Sequence, residues 1–398
     1  MGHIANAKNS LVPLIDRINK YPIGLVDNEK LRQILAILFT EEEAFVASKF
    51  PLEEATLDEL CKLTGKSSDV LLPMLENLAN KGIIMDMPYG DTTYYLLMPG
   101  LIGFFEFTFM KNRTDLPLDE LAKLMSEYLY EDPKTGQAAE FFGSKTPLTK
   151  AMVTDGQIPV SSTITDTHTA KEIINNSDFG AVSMCYCRHK KEHEDKTCKK
   201  DAPMENICIS VGTGAKFLAR RGFARESTKE ELLSIIDLAD KHNLTHITDN
   251  IRHKPSFICN CCGCCCEIMH GVQMGYYEGV GKTDFLATID PDKCDYCGDC
   301  FTACNVKAIG LAKNGVKLAG KNRYSAVRDH ICLGCAACIT SCEQDAISMI
   351  PRENHTQPSI PNKKRDLFVQ ILREKGRLTP FVISRAKKTV KKLIGIGR

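Results

Sequence analysis

The sequence predicts an α+β protein of three domains followed by a basic tail, and three observations carry that prediction. Residues 28–98 read as helices closed by a hairpin. Residues 151–283 mix short strands and helices among ten cysteines, as a central Cys-rich α/β domain. Residues 284–350 hold a cysteine motif that occurs twice. With 398 residues, 43% hydrophobic and 25% charged, the chain has enough material for two or three ordinary cores.

Leu31, Ile34, Leu35, Leu38 and Phe39 recur at helical spacing. Thr56 and Glu59 stand at capping-box spacing and open a second helix that stops at Gly65. Ser67 or Ser68 caps a third, carrying Val70, Leu71, Met74, Leu75 and Leu78 to a stop at Gly82. Residues 83–87 and 92–98 then form a hairpin around the turn at 88–91. This order resembles a winged helix, assigned to residues 1–110. The charges oppose DNA as its partner, because DNA affinity rests on Lys and Arg. Residues 51–100 hold only Lys62, Lys66 and Lys81 against eight carboxylates, and the third helix presents Asp69, Glu76 and Asn77. Protein docking or structural support is the expected role.

Residues 111–150 read as a helical linker with Leu118, Leu121, Leu124 and Met125, broken by Pro133, Gly136, Gly143 and Pro147. In the central domain, residues 207–211 predict a strand. Helices are predicted over 215–221 and 229–242. The intervening Gly212-Thr-Gly214 reads as a tight turn, because Phe217 takes the place of the third glycine of a dinucleotide fingerprint.

No apolar run reaches the roughly 20 residues of a membrane-spanning helix. The nearest, residues 96–110, is broken by Pro99, Gly100, Gly103 and Glu106, and the N-terminus lacks a basic head before an apolar core. A cytoplasmic protein is expected, with peripheral contact to a membrane as an option. In that reducing compartment, 19 cysteines point to metal or redox chemistry rather than disulfides. All but Cys61 lie between Cys185 and Cys342, and Cys61 is expected to be a buried apolar residue.

Cys294-x-x-Cys297-x-x-Cys300-x-x-x-Cys304 is repeated 38 residues later as Cys332-x-x-Cys335-x-x-Cys338-x-x-x-Cys342. Each run is followed at the same offset by Ala-Ile, at Ala308–Ile309 and Ala346–Ile347. Three cysteines in one short loop and a more distant fourth suit a cubane, whereas zinc modules use paired CxxC units. The pattern resembles bacterial two-cluster ferredoxins. That resemblance implies a fourth-cysteine crossover: Cys294, Cys297, Cys300 and Cys342 hold one [4Fe-4S] cluster, and Cys332, Cys335, Cys338 and Cys304 the other. Asn305 and Glu343 replace the proline usual after the fourth cysteine. Glu343 is expected to lower the neighbouring potential.

The central cysteines are Cys185, Cys187, Cys198, Cys208, Cys259, Cys261, Cys262, Cys264, Cys265 and Cys266. Cys185 and Cys187, read as continuing a strand from residues 180–184, would project to the same side. In the CNCCGCCC run neighbouring side chains diverge, so its ligands are expected to divide between sites. Up to two further cubanes, one cubane with a reactive dithiol, and a four-thiolate zinc site are all compatible with this set. Here the chain resembles 4Fe-4S ferredoxin-type proteins of anaerobic bacteria and archaea over most of residues 30–350. The resemblance is carried by LTGKSSDVLLPMLENLANKG, CYCRHKKEHE, LARRGF, ITDNIRHKPSFICNCCGCCC and the terminal repeat. It implies iron–sulfur electron transfer without assigning a substrate or the central ligands.

Arg188, His189, Lys190, Lys191 and His193 crowd the first central pair, and read foremost as a solvated loop balanced by Glu192, Glu194 and Asp195. Receiving an anion, or raising a cluster potential, is the alternative. Arg252, His253 and Lys254 make a second basic patch, and His168 reads as a packed or surface residue. Residues 363–398 hold 12 Lys and Arg against 2 Asp and Glu, leaving 39 basic and 48 acidic residues elsewhere, for a net charge of +1. Within 351–398, apolar residues among the basic ones suggest an amphipathic helix for an anionic membrane surface or an acidic partner. The expected function is an electron-transfer protein or redox-complex subunit with redox-protein partners. The alternatives are a reductase with a substrate-binding central cluster or thiol, and a redox-sensing winged-helix regulator.

Overall fold

Among the described residues, three capping boxes start helices. Thr40, Thr56 and Thr169 each accept a hydrogen bond from the backbone N–H three residues on, and the side chains of Glu43, Glu59 and Glu172 accept one in turn from the backbone N–H of the capping residue. Such a cap contributes about 1 kcal/mol. The computed structural model describes residues 11–157, 169–311, 325–353, 359–379 and 382. The architecture is α+β, in two compact units: Met1–Ser144 with Phe368–Arg398, and Lys145–Leu367.

In the first unit, helix Glu29–Leu38 buries Leu31, Ile34, Leu35 and Leu38. Helix Leu57–Thr64 stops at Gly65, whose φ of 71° is the left-handed conformation glycine adopts freely. Helix Ser68–Asn80 buries Leu71, Leu75 and Leu78 and leaves Val70 exposed. Strands Ile84–Tyr89 and Thr92–Leu97 pair antiparallel, and the short strand Ala55–Thr56 joins the latter's other edge. Between the first two of these helices lies Glu41–Ser48, a helix that periodicity does not reveal but the Thr40–Glu43 capping box does. Its Glu43 pairs with Lys81 at 2.8 Å and accepts from Asn77 at 2.7 Å. Burial pushes the Glu43 carboxyl up, but the Lys81 and Thr40 bonds outweigh it and leave the group below the usual range.

Helix Leu118–Tyr130 packs on Glu29–Leu38 in this same unit, with Leu121, Ala122, Met125 and Tyr128 buried. Cys61, expected to be buried, is only partly covered, because it lies one residue beyond the buried Leu60 on its helix. Helix Lys364–Glu374 buries Leu367, Ile371 and Leu372, and Lys375 and Arg377 beyond it converge on Glu140 at 2.8 and 2.7 Å. Val382 is exposed, while residues 380, 381 and 383–398 of the tail, and His168, lie outside the described residues.

The second unit is built on a six-stranded sheet in the order Thr149–Ala151, Thr245–Asp249, Phe257–Cys261, Cys208–Val211, Gly180–Ser183, Arg225–Glu226. Strands and helices mix along the chain here, yet every pairing is antiparallel. Strand Cys208–Val211 runs directly into helix Gly212–Arg220, with Gly212 at a φ of 68° making the tight turn. The repeat follows as two small antiparallel pairs: Phe285–Ile289 with Ile347–Pro351, and Ile309–Leu311 with Ser325–Val327. No helix among the described residues is long and apolar enough to cross a membrane.

Candidate metal centre

The repeat in sequence is a repeat in backbone. Tyr296 and Gly334, the equivalent residues before the second cysteine of each run, have φ of 69° and 72°. Gly298 and Ala336, after it, have φ of 90° and 67°. These left-handed steps curl each loop so that three cysteines face one centre. Lys307 and Asp345 repeat the symmetry at 56° and 47°. The Ala-Ile pairs then acquire a structural reason. The amide of Ala308 donates to Cys304 Sγ at 3.1 Å, and that of Ala346 to Cys342 Sγ at 3.4 Å. Ile309 and Ile347 open the strands that follow.

The fourth cysteines exchange places. Cys294, Cys297, Cys300 and Cys342 line one cavity, closed by Ile289, Ser325, Ala346 and Ile347. Cys304 stands instead among Cys332, Cys335 and Cys338. Burial and the charge of their neighbours push up the thiols of Cys304, Cys335 and Cys338, Cys335 to about 11. Each set offers four sulfur donors around one centre, and amides already point at the sulfurs. That donor set suits an iron–sulfur cluster.

The ten central cysteines divide four and six. Cys198, Cys262, Cys264 and Cys265 bring their sulfurs within 4.8 Å of one another and can hold a metal ion. The other six interact with one another in a closed cycle: Cys185, Cys187, Cys266, Cys261, Cys259, Cys208, and back to Cys185. The CNCCGCCC run is thus shared, with Cys259, Cys261 and Cys266 facing the ring and Cys262, Cys264 and Cys265 the foursome. Local structure explains the division. Cys259 and Cys261 are alternate residues of one strand, so they share a face. The register Ile209↔Ile258 sets Cys208 opposite Cys259. Cys266 caps helix Glu267–Gln273. Cys185 and Cys187 are not on a strand, since strand Gly180–Ser183 ends before them. Cys185 caps helix Tyr186–Glu192, and Cys187 lies in its first turn.

Bonds from their two neighbours hold Cys185 and Cys266 well below the ordinary thiol range and bring Cys259 to about 6. Cys187, pushed up chiefly by burial, and Cys208 and Cys261, pushed up chiefly by those same bonds, stand between them. The thiolate is the metal-binding form of each of these six residues.

The basic residues beside Cys187 are not a solvated loop. They lie on helix Tyr186–Glu192, where Arg188, His189 and Lys190 are buried. Lys190 is enclosed by Glu267 and Glu194, which neutralise it inside the unit. Arg188 donates to the carbonyl of Asn260 at 3.2 Å, while its Nε and Nη1 find no protein partner. Burial opposes its charge, but attraction to Cys185, Cys262 and Cys208 and a bond to Cys198 hold it firmly protonated. It therefore stands between the ring and the foursome. Lys200 bridges the foursome and the repeat in the same way. Its Nζ donates to the carbonyls of Asn243 and Ala303, both at 2.8 Å, and feels the charges of Cys335 and Cys304 as well as Cys262 and Cys264.

Asn305, in the place of the usual proline, ties the repeat to the central run. It accepts from Gly263 N at 2.9 Å and donates to Asn243 O and Thr245 Oγ1. Proline could make none of these side-chain bonds. At Gly263 a Cβ would come within 2.5 Å of the Asn305 carbonyl, so this approach requires glycine. Sequence reasoning missed Lys200, gave Arg188 a role beside the first central pair only as the alternative to a solvated loop, and marked Asn305 only as a replaced proline. The missing proline and the basic cluster after Cys187 were the local signals. No protein-family model and no solved structure matches this chain.

Proposed function

We propose that this protein is an iron–sulfur electron-transfer protein or redox-complex subunit, with two [4Fe-4S] clusters in the repeat and further metal in the central cysteines. The observation that carries the reading is the exchange of fourth cysteines, which sets two groups of four thiols side by side. Bound there, such clusters supply one-electron chemistry at potentials set by hydrogen bonds to sulfur, charge and exposure. The chain's own residues supply those influences. Ala308 and Ala346 donate amides to sulfur, and Cys297 is the exposed cysteine of its set while Cys300 is buried. Lys200 and Arg188 link the groups in the order repeat, foursome, ring. That order supports a relay of single electrons between a carrier at Cys297 and a partner of the central centre. A DNA-binding regulator is less well supported, because Asn77 of helix Ser68–Asn80 is engaged by Glu43 and Asp69 and Glu76 are acidic.

Anaerobic iron and sulfide analysis with EPR on the reduced protein tests the reading. About eight iron atoms and eight sulfides assigned to the repeat, with interacting reduced-cluster signals, are expected. Replacing Cys300 and Cys338 together by serine should remove those signals. Protein purified without labile sulfide and without such signals would overturn the proposal.

A further inference from the structure

The foursome differs from the repeat in the spacing of its sulfurs. Cys198 Sγ lies 3.7 Å from Cys262 Sγ and 3.7 Å from Cys264 Sγ, and Cys264 Sγ lies 3.7 Å from Cys265 Sγ. All four are mutually within 4.8 Å. Four thiolates around one ion at a metal–sulfur distance of about 2.3 Å form a tetrahedron with edges of about 3.8 Å. A cubane places four separate metal corners between its thiolates and holds them much further apart. The repeat is an internal comparison: among the described residues, none of its cysteines belongs to a trio drawn within 4.8 Å.

We propose that Cys198, Cys262, Cys264 and Cys265 bind one four-coordinate thiophilic ion, zinc or iron, and not a [4Fe-4S] cluster. Four thiolates around a divalent ion carry a net charge of two minus. The surroundings answer it: Arg188 is buried with two unpartnered nitrogens, Lys200 lies to the other side, and the Lys199 amide donates to Cys264 Sγ at 3.3 Å. Gly263 lets the chain turn between Cys262 and Cys264 against Asn305, so neighbouring thiols of one short segment converge. All four positions around the ion are filled by protein, which leaves none open for substrate. With zinc the site is a redox-silent brace between the repeat and the ring; with iron it is a one-electron station. The inference rests on the thiols binding metal; iron there continues the relay from the repeat to the ring, whereas zinc interrupts it and leaves electron transfer to the repeat.

The test is X-ray absorption on the anaerobically purified full-length protein at the zinc and iron edges, with metal and labile-sulfide analysis of the same sample. Zinc at one equivalent with four sulfurs at about 2.3 Å and no neighbouring metal supports the proposal. So does one iron in excess of sulfide with a high-spin tetrahedral Mössbauer signature. The Cys198→Ser/Cys264→Ser variant should lose that one equivalent and leave sulfide unchanged. Loss of about four irons together with four sulfides would show a cubane and overturn it. If the variant does not fold, cobalt exchanged into the native protein gives the second reading. Intense thiolate-to-cobalt and tetrahedral bands at one equivalent support the site, and their absence from zinc-free protein overturns it. The repeat's EPR signals, recorded on the same material, report separately on the electron-transfer reading.

Discussion

Arg188 shows what one residue can do between two thiol groups. Its guanidinium is buried, faces Cys185 and Cys208 of the ring and Cys198 and Cys262 of the foursome, and has the Asn260 carbonyl as its protein oxygen partner. A fixed positive charge favours the reduced form of a neighbouring metal centre, because reduction adds negative charge. Arg188→Met should therefore lower the midpoint potential of the ring's centre by about 60 mV, a tenfold change for a one-electron couple. Arg188→Lys should recover most of it. Anaerobic redox titration followed by EPR checks both. A Met variant with full metal content and unchanged potential would show that the arginine only packs.

At the scale of elements, the two cysteine loops are near copies that differ where their surroundings differ. Gly334 has a φ of 72°, and a Cβ there would lie 2.1 Å from both the Phe285 carbonyl and Thr283 Oγ1. Gly298, at a φ of 90°, has nothing nearer than Phe301 at 3.8 Å, and its counterpart Ala336 already adopts the left-handed region. Gly298→Ala should thus cost only about 1 to 3 kcal/mol of backbone strain and keep its iron. Gly334→Ala should cost more and empty the Cys332 set of iron and sulfide. Metal analysis and thermal melting of the two variants side by side decide this. These loops also show what the sequence made legible. Cysteine spacing and the 38-residue offset announced the repeat, and capping boxes and glycines placed helix boundaries, because both signals are local. The four-and-six division was not legible. It depends on an antiparallel register that brings Cys208 to Cys259 and on two helix starts that deliver Cys185 and Cys266. The buried basic helix was misread for the same reason: Lys190 needs Glu267, 77 residues away, before its burial makes sense.

Across the whole molecule the charge is unevenly spread, with 39 basic and 48 acidic residues outside 363–398. Around Cys297, the exposed cysteine of the repeat, Asp292, Asp295 and Asp299 are exposed too, with Lys293 among them. An acidic surface over the accessible edge of a redox centre steers cationic partners toward it and repels anionic ones. Such steering weakens once the Debye length shrinks to about 10 Å or less, near 0.1 M salt. Reduction of the full-length protein by a viologen radical cation should therefore slow as ionic strength rises, and reduction by the sulfur dioxide radical anion should speed up. Stopped-flow kinetics with the two reductants measure the opposite slopes directly. In Asp295→Asn/Asp299→Asn both slopes should flatten while the metal content holds. Equal slopes in the variant and the native protein would move the entry point for electrons away from Cys297, because the charges nearest the true entry point must dominate the salt dependence.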